Sequence, residues 1–277
     1  MKYVSYTHNG RATYGHVDGD KVSDLGAIVG SPVDLVAALK ANALASLKAE
    51  ATIAFADIRL LPVVTNPAKI FCVGHNYESH RVETGRAKVG HPSIFLRFAD
   101  TLNSHGGNIV RPKSSTSLDY EAELAIIIGK GGRYISEADA MSHVAGFACA
   151  NDVSVRDWQW HTTQFAPGKN FPTTCPLGPW MVTPDEIDDL NAVSVTSRLN
   201  GQVMQHAMLD HLLFPLPVII EYLSGFTTLS PGDVILTGTP GGVGAKREPP
   251  VWMKAGDVIE VEISGVGLLR NTIADEA

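Results

Sequence analysis

Asp119-Tyr120-Glu121-Ala122-Glu123-Leu124-Ala125-Ile126-Ile127-Ile128 is the stretch on which the reading of this chain turns. Its second half is an unbroken apolar run of the kind found in strands buried on both faces. Its first half alternates acids with Tyr120 and Ala122. In a strand the side chains alternate too, so Asp119, Glu121 and Glu123 project from one face roughly 7 Å apart. Carboxylates stacked in this way repel one another. At the mouth of an apolar strand they are stable when solvated, protonated or neutralised by a cation, and an all-oxygen donor set suits a hard divalent ion such as Mg²⁺. A solvated strand end satisfies the same pattern.

A second strand bears on that choice. Gly146-Phe147-Ala148-Cys149-Ala150 is another apolar run, and it ends in Asn151-Asp152. A carboxylate therefore stands where a strand leaves the core, and Asp152 could complete a three-carboxylate site, although Asn-Asp is also an ordinary turn pair. Ahead of both lies Gly74-His75-Asn76-Tyr77-Glu78-Ser79-His80-Arg81-Val82-Glu83. On a helix His80 and Glu83 share a face, where the carboxylate can hold the imidazole in one tautomer, as a general base requires. A plain surface pair has the same spacing. The next loop, 84–90, is polar, basic and bounded by glycines, which suits a closing lid. Lys169 in Pro167-Gly168-Lys169 and Thr239 in the glycine-rich turn 236–244 are candidate contacts for an anionic substrate. The turn has neither Walker nor dinucleotide spacing, and no G-x-S-x-G elbow occurs.

The remainder of the chain frames these segments. With 277 residues, 44% of them hydrophobic and 18% charged, it can bury a large core. A net charge of -7 argues against a nucleic-acid partner. The most apolar stretch, 212–220, is interrupted by Pro215 and Pro217 and falls far short of the roughly 20 residues of a membrane span. No secretory pattern opens the sequence, so a cytoplasmic location is expected. Cys72, Cys149 and Cys175 sit in or beside apolar runs and read as buried, reduced thiols. Residues 1–64 read as a small β-rich N-terminal domain, with strands at 3–7, 12–17 and near Val22 and a helix over 33–48. The turn at Asn66-Pro67 begins a second unit, 65–277. There the spacing predicts short helices at 77–83, 136–143 and 217–223, and otherwise strands of a mainly β (α+β) fold, a rolled sheet or barrel.

The order of these segments resembles the fumarylacetoacetate hydrolase family from about Asn66 to the C-terminus. The marks are Gly74-His75-Asn76-Tyr77 with His80 and Glu83, Tyr120-Glu121-Ala122-Glu123-Leu124, Asn151-Asp152 with Arg156, Asp157 and Gln159, Cys175-Pro176-Leu177-Gly178-Pro179, and the turn 236–244. The resemblance implies a rolled mixed β-sheet with a barrel-like core, often preceded by a small N-terminal domain, and a homodimer. It implies Glu121, Glu123 and Asp152 as ligands of Mg²⁺, with Mn²⁺ or Ca²⁺ as substitutes. His80 and Glu83 are implied as the water-activating dyad with Lys169 as a further catalytic group, and Arg156, Gln159 and Thr239 as substrate contacts. The implied substrate is a small 2-oxo acid. The implied activity is carbon–carbon hydrolysis of an acylpyruvate-like 2,4-dioxo acid through a metal-stabilised enolate, in the acylpyruvate hydrolase and 2-oxo acid decarboxylase branch. Decarboxylation of an oxaloacetate-type acid and hydration or isomerisation of a dienoate are the alternatives, and a non-catalytic metal-binding protein is a further one. The chain departs from the family pattern at Arg97-Phe98, where a Lys-Pro pair is usual, and at Asn170, where Ser is usual.

Overall fold

The fold is organised around the strand Ala122–Ile128, which lies inside a twelve-stranded mixed sheet between Val144–Asn151 and Val234–Leu236, antiparallel to both. The computed structural model describes all 277 residues. Every residue of this strand is buried because both faces of the sheet are covered. Leu124, Ile126 and Ile128 point to one side, where they pack with Phe147, with Val195, Val261 and Ile263 of a second, five-stranded sheet, and with Ile219, Ile220 and Leu223 of the helix Leu216–Phe226. Ala125 and Ile127 point to the other side, against Leu35, Val36 and Leu39 of the helix Leu35–Lys40.

The large sheet continues from Val234–Leu236 to Ile70–Gly74, its parallel neighbour, and on to Ser93–Arg97. In the other direction it passes through Cys175–Val182 into the N-terminal hairpins Lys2–His8, Arg11–Asp18 and Lys21–Asp24. Residues 1–64 thus share both a sheet and a core with residues 65–277. The first hairpin closes at Asn9 and Gly10, both with positive φ (49° and 77°), a turn whose twist matches the flanking strands. Both sheets keep free edges. The expected rolled β architecture is therefore present as open mixed sheets, without closure into a barrel.

Three helices differ in extent from expectation. The one expected over 33–48 is only Leu35–Lys40: Asp34 caps it through the Ala37 N–H (2.7 Å), and at Asn42 the backbone enters the left-handed region (φ 50°). The Ser136 cap does form, its hydroxyl accepting from the Asp139 N–H at 3.2 Å, but the bonds beyond it are of i→i+3 type, giving a 3₁₀ turn at Ala140–His143. The helix expected to stop before Gly225 runs through it to Phe226, its face of Ile219, Ile220 and Leu223 fully buried. No helix is long and apolar enough to cross a membrane. All three cysteines are buried and unpaired.

Because Ile126 is fully buried at the centre of this framework, Ile126→Ala should cost about 2–5 kcal/mol. Denaturant titration should show a lower midpoint with an unchanged slope, and a midpoint within error of the parent would contradict the placement.

Candidate metal centre and active site

The register of the central ladder builds the site. Ala122 faces Asn151 and Glu123 faces Ala150, and one residue further the Asp152 N–H donates to the Glu121 carbonyl at 2.9 Å. The ends of two buried strands therefore bring Glu121, Glu123 and Asp152 together, with one oxygen of each within 4.8 Å of the others. Asp119 does not join them, although strict alternation places it on their face. The chain leaves the ladder at Tyr120 and Glu121, and Leu118–Asp119 pairs instead with Ser154–Val155. The Asp119 carboxylate accepts from the N–H groups of Gly244 (2.7 Å) and Ala245 (3.0 Å) and from Arg156.

Three buried cations surround these acids. Lys169 Nζ bridges Glu121 (2.8 Å) and Asp152 (2.6 Å). Arg156 is fully committed, with Nε on Asp119 (2.8 Å), one terminal nitrogen on Glu121 (2.6 Å) and the other on the Gln159 carbonyl oxygen (2.8 Å). Arg97 donates to Asp152 (2.5 Å), Thr174 (3.1 Å) and the Val153 carbonyl (2.5 Å). Lys169 reaches the acids because Gly168 has no side chain: a Cβ there would collide with Gln159. Four buried carboxylates, Asp119 included, thus face three cations, and no cation lies within bonding distance of Glu123. Its one polar partner is the Gly238 N–H at 2.6 Å. Gly238 has φ 105°, and a Cβ there would lie 2.6 Å from that of Asn76, so glycine is required at this contact.

The charges reflect this arrangement. Burial opposes ionisation of Glu121, but Lys169 and Arg156 outweigh it and hold its carboxyl below the usual range. Glu123 goes the other way: burial, then the charges of Asp152 and Glu121, push it well above the usual range. Were all four carboxylates ionised they would exceed the three cations by one negative charge, and an oxygen donor beside two others that keeps its proton for want of a counter-charge fits a hard divalent cation. The carboxylates already engaged by Lys169 and the arginines retain lone pairs for such an ion.

The helix Glu78–Glu83 closes one side of the cavity. His80 Nδ1 and Glu83 Oε1 lie 2.7 Å apart, and the other Glu83 oxygen accepts from the Gly242 N–H at 2.8 Å. The Ser79 hydroxyl accepts from the Gly241 N–H at 3.0 Å, so the helix is pinned to the glycine-rich turn. His80, the three carboxylates, Arg156, Gln159, Lys169 and Thr239 line a single cavity of about 90 Å³, with Glu83 behind His80. The Thr239 hydroxyl accepts from Gln205 Nε2 (2.7 Å), and Gln205 also binds the Pro240 carbonyl, the Ala122 N–H and the Ser197 hydroxyl.

Sequence reasoning assigned no part to Gln205, and treated Arg97 only as a departure from the family pattern. It also gave no role to His75, whose ring stacks on His80 (5.2 Å between centroids, 12° between planes) from a backbone at φ 55°. Burial, then the neighbouring His80, lowers the pKa of His75 to about 4, so it is neutral near pH 7. Nothing local in the sequence marks it, since the left-handed backbone that carries its ring to His80 is visible only in the structure.

Residues 69–274 match the model of the fumarylacetoacetate (FAA) hydrolase C-terminal family. The mitochondrial oxaloacetate tautomerase of Bos taurus is 44% identical over 219 residues, 78% of this chain and 70% of that protein. The 2,4-didehydro-3-deoxy-L-rhamnonate hydrolase of a Sphingomonas strain is 36% identical over an alignment of 279 positions, covering 99% and 96% of the two. Among solved structures, the fumarylacetoacetate hydrolase of Exiguobacterium antarcticum superposes with a TM-score of 0.87 at 34% identity, with both chains fully covered.

The excess charge at Glu123 has a consequence for stability. A carboxyl raised above its ordinary value of 4.5 holds a proton in the folded state that the unfolded chain has lost, so its contribution is present below that value and disappears as pH rises. In chelator-treated protein, stability should fall from about pH 4.5 upward, and Glu123→Gln should flatten that decline. Mg²⁺ should raise the Tm of the parent at pH 7 but not that of Glu123→Gln. Equal responses in the two proteins would contradict the assignment.

Proposed function

The chain belongs to the fumarylacetoacetate hydrolase family, and from that premise we propose that it is a divalent-metal-dependent hydrolase cleaving a carbon–carbon bond in a compact, acylpyruvate-like 2,4-dioxo acid. The observation that carries this reading is the hydrogen-bonded His80–Glu83 pair opening onto the same small cavity as three converging carboxylates. Glu121, Glu123 and Asp152 would hold the ion, Mg²⁺ by their all-oxygen chemistry, and that ion supplies Lewis-acid charge to the 2-oxo and carboxylate oxygens of the substrate.

The other roles fall to the chain's own groups. With Glu83 taking the Nδ1 proton as hydrogen-bond acceptor, His80 presents an unprotonated Nε2 to the cavity and accepts the proton of the water that attacks the distal carbonyl. Because the Gln159 carbonyl oxygen is held by Arg156, its NH₂ group is left to donate to a substrate oxygen. Thr239 accepts from Gln205, which leaves its hydroxyl proton for the same purpose. Lys169 and Arg156 keep Glu121 ionised. A cavity of about 90 Å³ selects for small acids.

A second reading is favoured by the 44% identity to an oxaloacetate tautomerase: the same base would take a proton from the carbon next to the 2-oxo group, breaking that C–H bond as the enol forms and leaving every carbon–carbon bond intact. The two separate in one assay. With Mg²⁺, acetylpyruvate should give pyruvate and acetate, and EDTA should abolish the reaction. Intact acetylpyruvate, together with accelerated enol–keto conversion of oxaloacetate, would replace hydrolysis with tautomerisation.

Whichever bond is handled, a positioned base contributes about 10²–10⁴-fold. His80→Ala should therefore lower kcat by that factor, and Glu83→Gln should lower kcat with little change in KM. A His80→Ala variant within threefold of the parent would remove the dyad from the mechanism.

A further inference from the structure

His75 brings a second imidazole to the cavity, and its polar atoms are uncommitted. Neither of its ring nitrogens bonds to the protein, whereas His80 is held by Glu83 (2.7 Å) and the buried His143 by the Lys130 carbonyl (2.8 Å). Its backbone is equally unusual. Six residues other than glycine have positive φ, and three of them are asparagines in turns. Of the six only His75 lines the cavity, and a β-carbon in the left-handed region costs free energy that glycine would not lose. That conformation lays its ring alongside the ring of His80.

A chain of aromatic contacts fixes where this ring stands. Lys169 Nζ lies over the Phe95 ring (5.1 Å), Phe95 meets Phe165 edge-on (5.6 Å between centroids), and Phe165 meets His75 edge-on (6.0 Å). His75 is therefore beside the base and two aromatic rings along from the carboxylate cage. A substrate held at the cage by its 2-oxo acid end would bring its distal carbonyl in front of the two imidazoles. Rings with centres 5.2 Å apart can both reach one small group placed there.

We propose that His75 is a second catalytic imidazole, whose N–H donates to the distal carbonyl oxygen of the substrate as that oxygen takes up negative charge. This rests on the hydrolase reading and adds the group that meets the developing oxyanion. As water adds, its oxygen bonds to the carbonyl carbon, its proton passes to His80 Nε2, and the C=O π pair moves onto the oxygen facing the His75 N–H. The carbon–carbon bond then breaks with its electron pair on the departing carbon, the C=O re-forms, and His80 returns the proton to that carbon, which gives a carboxylic acid and a 2-oxo acid. His75 keeps its proton throughout. A neutral imidazole carries one N–H, the form in which burial and the neighbouring His80 hold this ring near pH 7.

Two substitutions separate donation from packing. His75→Gly removes the ring and suits the left-handed backbone, whereas His75→Phe keeps a flat ring beside His80 without an N–H. In Mg²⁺-loaded protein both should lower kcat for acetylpyruvate by about 10²–10³-fold, with KM within about threefold of the parent. A His75→Phe enzyme within about threefold of the parent in kcat would show that the ring acts by packing alone and would remove the donor. Titration calorimetry needs no turnover. It compares pyruvate with the phosphinate analogue of acetylpyruvate, in which a tetrahedral, anionic methylphosphinate group replaces the acetyl group. His75→Phe and His75→Gly should each bind the phosphinate about tenfold or more weakly than the parent, and pyruvate as well as the parent does. Unchanged phosphinate affinity, or an equal loss for both ligands, would overturn the assignment. If the parent leaves acetylpyruvate intact, the hydrolase reading fails, and the phosphinate comparison still decides whether His75 meets an oxyanion.

Discussion

Four carboxylates buried around three cations form the constraint on which the rest of this structure depends. Isolated charges are costly to bury, and pairing offsets that cost only where geometry and hydrogen bonds are good. Here Asp152 is gripped by Arg97 and Lys169, Glu121 by Lys169 and Arg156, and Asp119 by Arg156 and two backbone N–H groups. Glu123 alone is left with a single peptide donor. An arrangement that compensates three acids and leaves the fourth short of a partner is poorly suited to a purely structural role and well suited to a cation that comes and goes.

The framework explains why these charges can be held so deep. Ala122–Ile128 is buried throughout and Val144–Asn151 is buried from Gly146 to Asn151, so the residues at the site end of the ladder have little freedom to relax away from one another. Cations reach them from separate parts of the chain, Arg97 from the end of a strand and Lys169 from a short helix that packs on Gln159. Relatives similar to this chain are named for different reactions, an oxaloacetate tautomerase and a 2,4-didehydro-3-deoxy-L-rhamnonate hydrolase.

The range of each interaction decided whether it could be read in the sequence. The runs 124–128 and 146–150 were legible because burial on both faces leaves a local, continuous apolar signature. Glu121, Glu123, Asp152 and the His80–Glu83 pair were legible because alternation and helical spacing are local as well. Asp119 was misplaced because nothing local marks the break at Tyr120 and Glu121 that removes it from the ladder. The 33–48 helix was overextended because apolar periodicity continues past Asn42, where a single left-handed residue ends it. The closing of a barrel was not legible either way, since edge pairing depends on strands far apart in sequence. Arg97 and Gln205 were silent for the same reason: their partners are 55 and 83 residues away.

Whether the undercompensated carboxyl of Glu123 belongs to a divalent-cation site shared with Glu121 and Asp152 is decided by crystallography of the Mn²⁺-loaded protein at a wavelength where manganese scatters anomalously. One strong anomalous peak is expected at coordination distance from an oxygen of each of the three carboxylates. A protein that is active with Mn²⁺ but shows its peak elsewhere, with Lys169 still bridging Glu121 and Asp152 and Glu123 uncoordinated, would contradict it.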